Sequence, residues 1–557
     1  MRVSSNRIAW AAGAMLCLWV LHANVSPDFT PIRSELANAH GFSRDVLNLV
    51  VLSSDQPFSR APAWSVLACA VVLLLLGGLR RQPRPGWRGT APAVLAGIAV
   101  TLLAATAVSP YVSRYRVVLA PRTFVLCAGL LCAVRAFGTS ERSSRGARWT
   151  WTESVRRRTL IVLCGALGAG FFASAMLQML ATYGGNYSGF LHLSRDVAAR
   201  APFLRERPDL GRSLIVYPAG YDGQFMYLMA FDPFLQRFTD RPQEYRAVVD
   251  APPYRYGRIG FSLLTAVVSA QRPELYPAAM MWLIVAAHFA LAALLASIAA
   301  RHGMSPLAGL WYLAIPGFTS SLLSALPEAL AAAGIVAGIL CWEARRFVLA
   351  ALSFGAALLV RETGVIVIVA LVLAADRKEW KRSVLVIVAS LLPACTWRLF
   401  VASRLFADFG WGAIVANPGD LGVPFAGLVR LWEAGVGRTQ PPPEIAGALA
   451  YPIILTAALI LAISLLVARR GPLEIAAIIY ATVAVSLNYG QIWTHLPSGE
   501  RGTFELFVCL LLVLLESRGR PVWIRRTLTE FFVVLLAYTF VIAPDAATSR
   551  AALLLIR

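Results

Sequence analysis

Charge, and lysine above all, is scarce in this sequence. Of 557 residues only 15% are charged, against ~25% in an ordinary soluble chain, and Lys378 and Lys381 are the only lysines. Polar linkers of the kind that divide a chain of this length into soluble domains are missing. No CxxC pair and no Cys/His cluster occurs. The eight cysteines fall inside apolar runs and read as small buried hydrophobes, not as disulfides or zinc ligands. No repeat of clear period and no low-complexity segment is visible. These absences exclude a soluble enzyme, a secreted disulfide scaffold, a disordered tail and a DNA-binding domain.

Apolar sequence fills the chain instead. Hydrophobic residues make up 58% of it, the mean hydropathy is +0.64, and runs of about 17–22 residues recur throughout, each long enough to cross a ~30 Å hydrocarbon core as a helix. The expected fold is an all-α polytopic membrane protein with about 13–15 transmembrane helices. They fall at about 8–23, 62–79, 90–108, 118–137 and 159–181, then at about 276–299, 305–322, 327–343, 347–360, 363–375, 383–402, 448–468, 472–488, 503–516 and 526–543, with ends good to a few residues. The first run resembles a signal peptide but lacks a small-x-small cleavage site, so it is expected to stay as a helix. Residues 1–150 read as an N-terminal four-helix module, and residues 151–557 as the main membrane domain.

The formal charge of +21 is carried almost entirely by Arg clustered between apolar runs, which is a topology signal and not a nucleic-acid footprint. Alternating the spans puts Arg2/Arg7, Arg80–Arg88, Arg142–Arg158, Arg301, Arg345/Arg346, Arg377–Arg382, Arg469/Arg470 and Arg518–Arg526 on one side, expected to be cytoplasmic with the N-terminus. Residues 24–61, 182–257 and 403–447 then form outer stretches, the second a long extracytoplasmic loop after the fifth helix. Residues 258–271 are too short to span and are expected to re-enter from the outer face, where a broken helix must be buried or line a cavity. The short pair at 347–360 and 363–375 turns at Arg361-Glu362, a second broken site.

Several outer-face residues could carry chemistry. Asp222, in Tyr221-Asp222-Gly223-Gln224, sits on an open turn before an apolar run, Phe225 to Phe231, that could lie as a helix on the membrane surface. Either Asp222 caps that helix or it reacts. Arg255 and Arg258, in Tyr254-Arg255-Tyr256-Gly257-Arg258, could clamp phosphate or pair with loop acids such as Asp250. Glu328, after Pro327, and Arg361 are ionisable groups at membrane depth, where each costs at least ~2.5–3.5 kcal/mol and tends to mark function, though they could simply pair. In the last outer turn, His495 and Arg501 could contact an anion, while a lone His is more often structural.

The order and sidedness of these pieces resemble the GT-C glycosyltransferases, membrane enzymes that use polyprenyl-phosphate sugars, and within them bacterial mannosyltransferase-like proteins. The resemblance rests on Tyr221-Asp222-Gly223-Gln224 in the long loop, on Tyr254 to Arg258 after it, and on Leu359 to Gly364 between two short helices with Pro327-Glu328 one helix earlier. It covers roughly residues 159–545 and departs in two ways: Asp222 stands alone until Asp232, without a paired acid, and four helices precede the expected first core helix. The resemblance implies sugar transfer from a polyprenyl-phosphate donor to a glycan, lipid or protein acceptor, with inversion, at the outer face of a bacterial inner (plasma) membrane. Asp222 would be the base, and Arg255, Arg258, Arg361, Arg501 and His495 would hold the phosphate. Tyr221, Gln224, Glu328, Glu362 and Asp232 would support them. No metal ligand set is implied; a divalent metal is compatible but not required. A secondary transporter, with its broken helices and buried charges, and an O-antigen ligase or polymerase type of enzyme are the competing readings.

Overall fold

The computed structural model describes residues 151–541 apart from 377, 379, 414–420 and 438–441. The N-terminal module, with its four expected helices, the first outer stretch and the expected cytoplasmic N-terminus, lies outside the described residues. Within them the chain is helical, and its one sheet is a pair of two-residue parallel strands, β1 (Leu193–Ser194) and β2 (Val216–Tyr217). Four helical segments are long and apolar enough to cross a membrane: Val155–Thr182, Pro273–Arg301, Trp380–Phe409 and Gly447–Ala468. Four shorter apolar helices, Phe347–Val360, Glu362–Leu373, Pro472–Ser486 and Phe504–Leu515, accompany them. This composition suits a lipid bilayer, in which helices satisfy their own backbone groups.

In chain order the helices that frame the site are α1 (Trp151–Thr182), α2 (Asp222–Met229), α3 (Pro252–Tyr256), α4 (Gly260–Val268), α5 (Tyr276–Arg301), α6 (Pro316–Leu322), α7 (Glu328–Glu343), α8 (Phe347–Val360), α9 (Val365–Leu373), α10 (Trp380–Phe409), α11 (Ala426–Val436), α12 (Pro442–Ala468), α13 (Pro472–Ser486), α14 (Leu496–Gly502), α15 (Phe504–Leu515) and α16 (Val522–Val541). Helix α5 packs on α1 and α7, α8 lies between α7 and α10, and α13 packs on α9, α12 and α15. Proline opens many of these helices, at Pro277, Pro316, Pro472 and Pro497 among others, where its missing N–H is no loss.

Two expectations change, one at 305–322 and one at the helix that follows Asp222. The run at 305–322 is not one helix: Pro306–Ala314 winds as a 3-10 helix, and α6 starts afresh at Pro316, because Pro316 keeps Ile315 extended (φ −86°, ψ 110°). The loop at 182–257 is folded, with short helices and the β1–β2 pair. Its helix α2 does not lie on a membrane surface: Gly223 to Met229 are all buried. A helix apolar on every side, as Phe225-Met226-Tyr227-Leu228-Met229 is, needs cover all round. The short stretch at 258–271 does hold a short helix, α4, with Phe261 and Ser262 buried and Val267 and Val268 exposed.

Candidate functional site

The start of α2, the end of α3, the start of α7, the α8–α9 turn, helix α14 and the start of α15 bring their charged residues into one network. Asp222 opens α2 but caps nothing. Tyr221 is the N-cap, without a side-chain cap bond, and the Asp222 carboxylate is turned to two guanidinium groups. Arg255 Nη1 lies 2.9 Å from Asp222 Oδ1, and Arg501 Nη2 donates to Oδ2 at 2.6 Å. Arg255 also forks onto Asp250, with Nε and Nη2 at 2.8 and 3.0 Å from its two oxygens, and its guanidinium rests 4.4 Å from the Phe225 ring centre. Gly223 follows Asp222 because a Cβ there would sit 2.3 Å from the Ser324 carbonyl. The residue thus permits a close approach that brings α2 against the segment leading into α7.

From Arg501 the network continues to Glu328, the first residue of α7, whose Oε1 is 3.5 Å from Arg501 Nε and 3.1 Å from Arg361 Nη1. Arg361 Nε donates to Glu505 Oε1 at 2.6 Å, and Thr363 Oγ1 bonds the same oxygen at 2.5 Å. Arg258 forks onto Glu362, with Nε 2.5 Å from Oε2, and stacks 4.2 Å above Tyr254. The structure therefore gathers the four arginines singled out in the sequence, but not as an open phosphate clamp. They face five carboxylates: Asp222, Asp250, Glu328, Glu362 and Glu505. Both pairings weighed as bland alternatives, Arg255 with Asp250 and Arg361 with Glu328, are made.

The Asp222 side chain is 22% exposed, so it does not stand on an open turn at an ordinary carboxylate pKa. Burial alone would raise that pKa, but Arg255 and Arg501 outweigh it and hold the carboxyl well below the usual range. Asp222 is ionised throughout the physiological range and, so paired, is a weak proton acceptor. Glu328 differs. It is 2% exposed, and its Oε2 is buried without a hydrogen-bond partner among the described residues.

The supporting residues divide. Tyr221 joins the site: its hydroxyl lies 2.6 Å from Ser498 Oγ, and Arg501 sits 5.3 Å from its ring centre. His495 precedes α14, and its backbone carbonyl accepts from Ser498 N at 2.8 Å. Gln224 is structural, its Oε1 accepting from Ser194 N at 2.9 Å and tying α2 to β1. Asp232 does not join the network. It accepts from the amides of Gln236 and Arg237, each at 2.9 Å, and from the Tyr245 hydroxyl at 2.5 Å, which closes a turn.

Sequence reasoning missed Glu505 and Glu500. Glu505 interrupts an apolar run, and that interruption is itself a functional signal. Glu500 is fully buried and accepts from Ser320 Oγ at 2.7 Å and Tyr538 OH at 2.6 Å, joining α6, α14 and α16. An open groove lined by Pro202, Arg205, Glu206, Arg237 and Arg241 contains none of the network residues. Comparison with family models, with curated proteins and with solved structures found no match.

Proposed function

We propose that this chain is a membrane glycosyltransferase of the GT-C kind, moving a sugar from a polyprenyl-phosphate donor to an acceptor hydroxyl at the extracytoplasmic face of a bacterial inner membrane. One observation carries the reading: an ionised Asp222 held between Arg255 and Arg501, one carboxylate away from the Arg361 turn. In this reading the acceptor oxygen attacks the anomeric carbon, the bond from that carbon to the phosphate oxygen breaks, and the electron pair stays on the lipid phosphate. The acceptor proton passes to a carboxylate. A donor phosphate competes with Asp222 for Arg255 and Arg501. As the guanidinium groups turn to the phosphate, Asp222 loses the partners that depress its pKa and becomes a better base when it is needed. Glu328, whose buried Oε2 has no hydrogen-bond partner among the described residues, is the second candidate carboxylate.

The finer topology belongs to the same proposal: the Asp222 network outside, the Arg-rich turns inside, and about 13–15 spans in all. A divalent metal is compatible with it, since the network has one more carboxylate than guanidinium groups. The test is transfer from a polyprenyl-phosphate sugar by purified wild type and Asp222→Asn, with thermal melting of both. Unchanged transfer by a folded Asp222→Asn would remove Asp222 from the chemistry. Substrate flux into liposomes with no covalent product would favour a transporter instead.

A further inference from the structure

The four arginines of the network are already neutralised, which leaves open what receives an incoming phosphate. Arg398 stands beside them on α10. Its Cζ would lie 3.3 Å from a Cβ on Gly257, so the missing side chain of Gly257 lets the guanidinium rest against the backbone between Arg255 and Arg258. The preceding residue fixes that register, Trp397 Nε1 donating to the Tyr256 carbonyl at 2.6 Å. Arg398 has no carboxylate within ion-pair distance among the described residues, unlike each of the four network arginines.

Its surroundings decide the ligand. Helix α10 carries the most exposed apolar face of the long helices, with Leu385, Val388, Leu392 and Leu399 all more than half exposed. At 1.5 Å per residue Arg398 is about 24 Å along the axis from Arg382, a distance that places the two near opposite boundaries of a ~30 Å hydrocarbon core. A half-buried, unpaired guanidinium at headgroup depth, reachable sideways from the bilayer and suited to phosphate oxygens, has one abundant counter-ion there. We propose that Arg398 is a binding residue for the phosphate of a membrane-embedded lipid, at the bilayer-facing edge of the Asp222 network. The inference rests on the reading of α10 as a membrane span. With sugar transfer added, the same residue is the first contact of the donor phosphate before it reaches Arg258.

The test uses the purified full chain in nanodiscs and needs no sugar. Binding of a polyprenyl monophosphate, of the same polyprenol without phosphate, of phosphatidic acid and of inorganic phosphate is measured for wild type, Arg398→Gln, Arg398→Lys and the same-helix control Arg404→Gln, with thermal melting of each. The expected result is phosphate-dependent lipid binding that weakens about 10- to 100-fold in Arg398→Gln, the size of a lost charge-assisted hydrogen bond, is partly kept in Arg398→Lys, and is unchanged in Arg404→Gln. A stronger loss for the polyprenyl phosphate than for phosphatidic acid identifies the donor as the occupant; equal losses identify a bilayer headgroup. Equal binding by wild type and Arg398→Gln, or inorganic phosphate displacing the lipid at equal concentration, overturns the proposal. An intact Arg398 effect in a protein that turns over no lipid-phosphate sugar would sink the transfer reading and leave this site standing.

Discussion

Helices α7 and α15 each carry a carboxylate at both ends, and the two ends are built differently. Glu328 and Glu505 begin them; Glu343 ends α7 and Glu516 follows α15. Fifteen helical steps put the α7 pair about 22 Å apart. At the Asp222 end each of the five network carboxylates meets a guanidinium. At the opposite end the turns at 301–305, 343–346 and 516–520 meet, and Glu343 and Glu516 crowd His302, with one ligand atom from each within 4.8 Å of the others. Arg301 and Arg520 sit around them, the latter pairing with the buried Glu474. The difference teaches where pH can act: Asp222 is held ionised between two guanidinium groups at one end, while His302 and Glu516 both hold protons more tightly than usual at the other.

The largest expected effect is on chemistry. Asp222→Asn keeps the size of the side chain, so transfer should fall about 10²–10⁴-fold while the folded fraction stays near wild type, measured by turnover and melting on the same sample. Acid titration should agree. The depressed pKa of Asp222 means that its stabilising contribution is present above the ordinary aspartate pKa of ~4 and is lost only as pH falls toward its folded value, so wild type should lose more stability in strong acid than Asp222→Asn does.

Next in size are the two largely buried arginines, Arg361 and Arg520, that sharpen the comparison. Arg361→Gln leaves Glu505 without its guanidinium and Glu328 with Arg501 alone, and breaking such a buried pair costs about 3–5 kcal/mol. Arg520, 6% exposed against a Glu474 that is 1% exposed, should cost a similar amount as Arg520→Gln. Only the first should also lower turnover per folded molecule. If both variants lowered it equally, the two ends would not differ in function, and the assignment of chemistry to the Asp222 end would fail.

Much of this frame was legible in the sequence, because hydropathy reports which segments must be covered by lipid or protein. The helices at 347–360 and 472–486 and the turn at Arg361-Glu362 follow from apolar length alone. The break at Pro316 was written in the residue but outvoted by the apolar run around it. The burial of α2 was hidden because its apolar run is as suited to a membrane surface as to a core, and only the cover supplied by neighbouring segments decides. The network itself was half legible. Sidedness predicted that Arg255, Arg258, Arg361 and Arg501 share one end, but not that five carboxylates would meet them, since partners such as Glu505 lie far along the chain and pair only through tertiary packing.

The smallest expected effect tests the other end. Glu343, whose Oε1 lies 3.5 Å from His302 Nε2, raises the His302 pKa against the opposing effect of burial, with Glu516 adding to the rise and Arg301 opposing it. Glu516 is raised as well, by burial first and by Glu343 next. Both groups therefore hold protons in the folded chain more tightly than in the unfolded chain. The stability they contribute is full below their unfolded pKa values and is lost as pH rises through the folded ones. His302 is 33% exposed, so after solvent screening the change is under about 1 kcal/mol. Melting temperature should thus drift down as pH rises above the ordinary imidazole pKa of about 6.5 in wild type, and the drift should shrink in His302→Gln. Asp222 itself is held ionised well below that range by Arg255 and Arg501, so Asp222→Asn should keep the drift unchanged. A drift that survived in His302→Gln but vanished in Asp222→Asn would reverse the comparison and place the pH-sensitive cluster at the end proposed for sugar transfer.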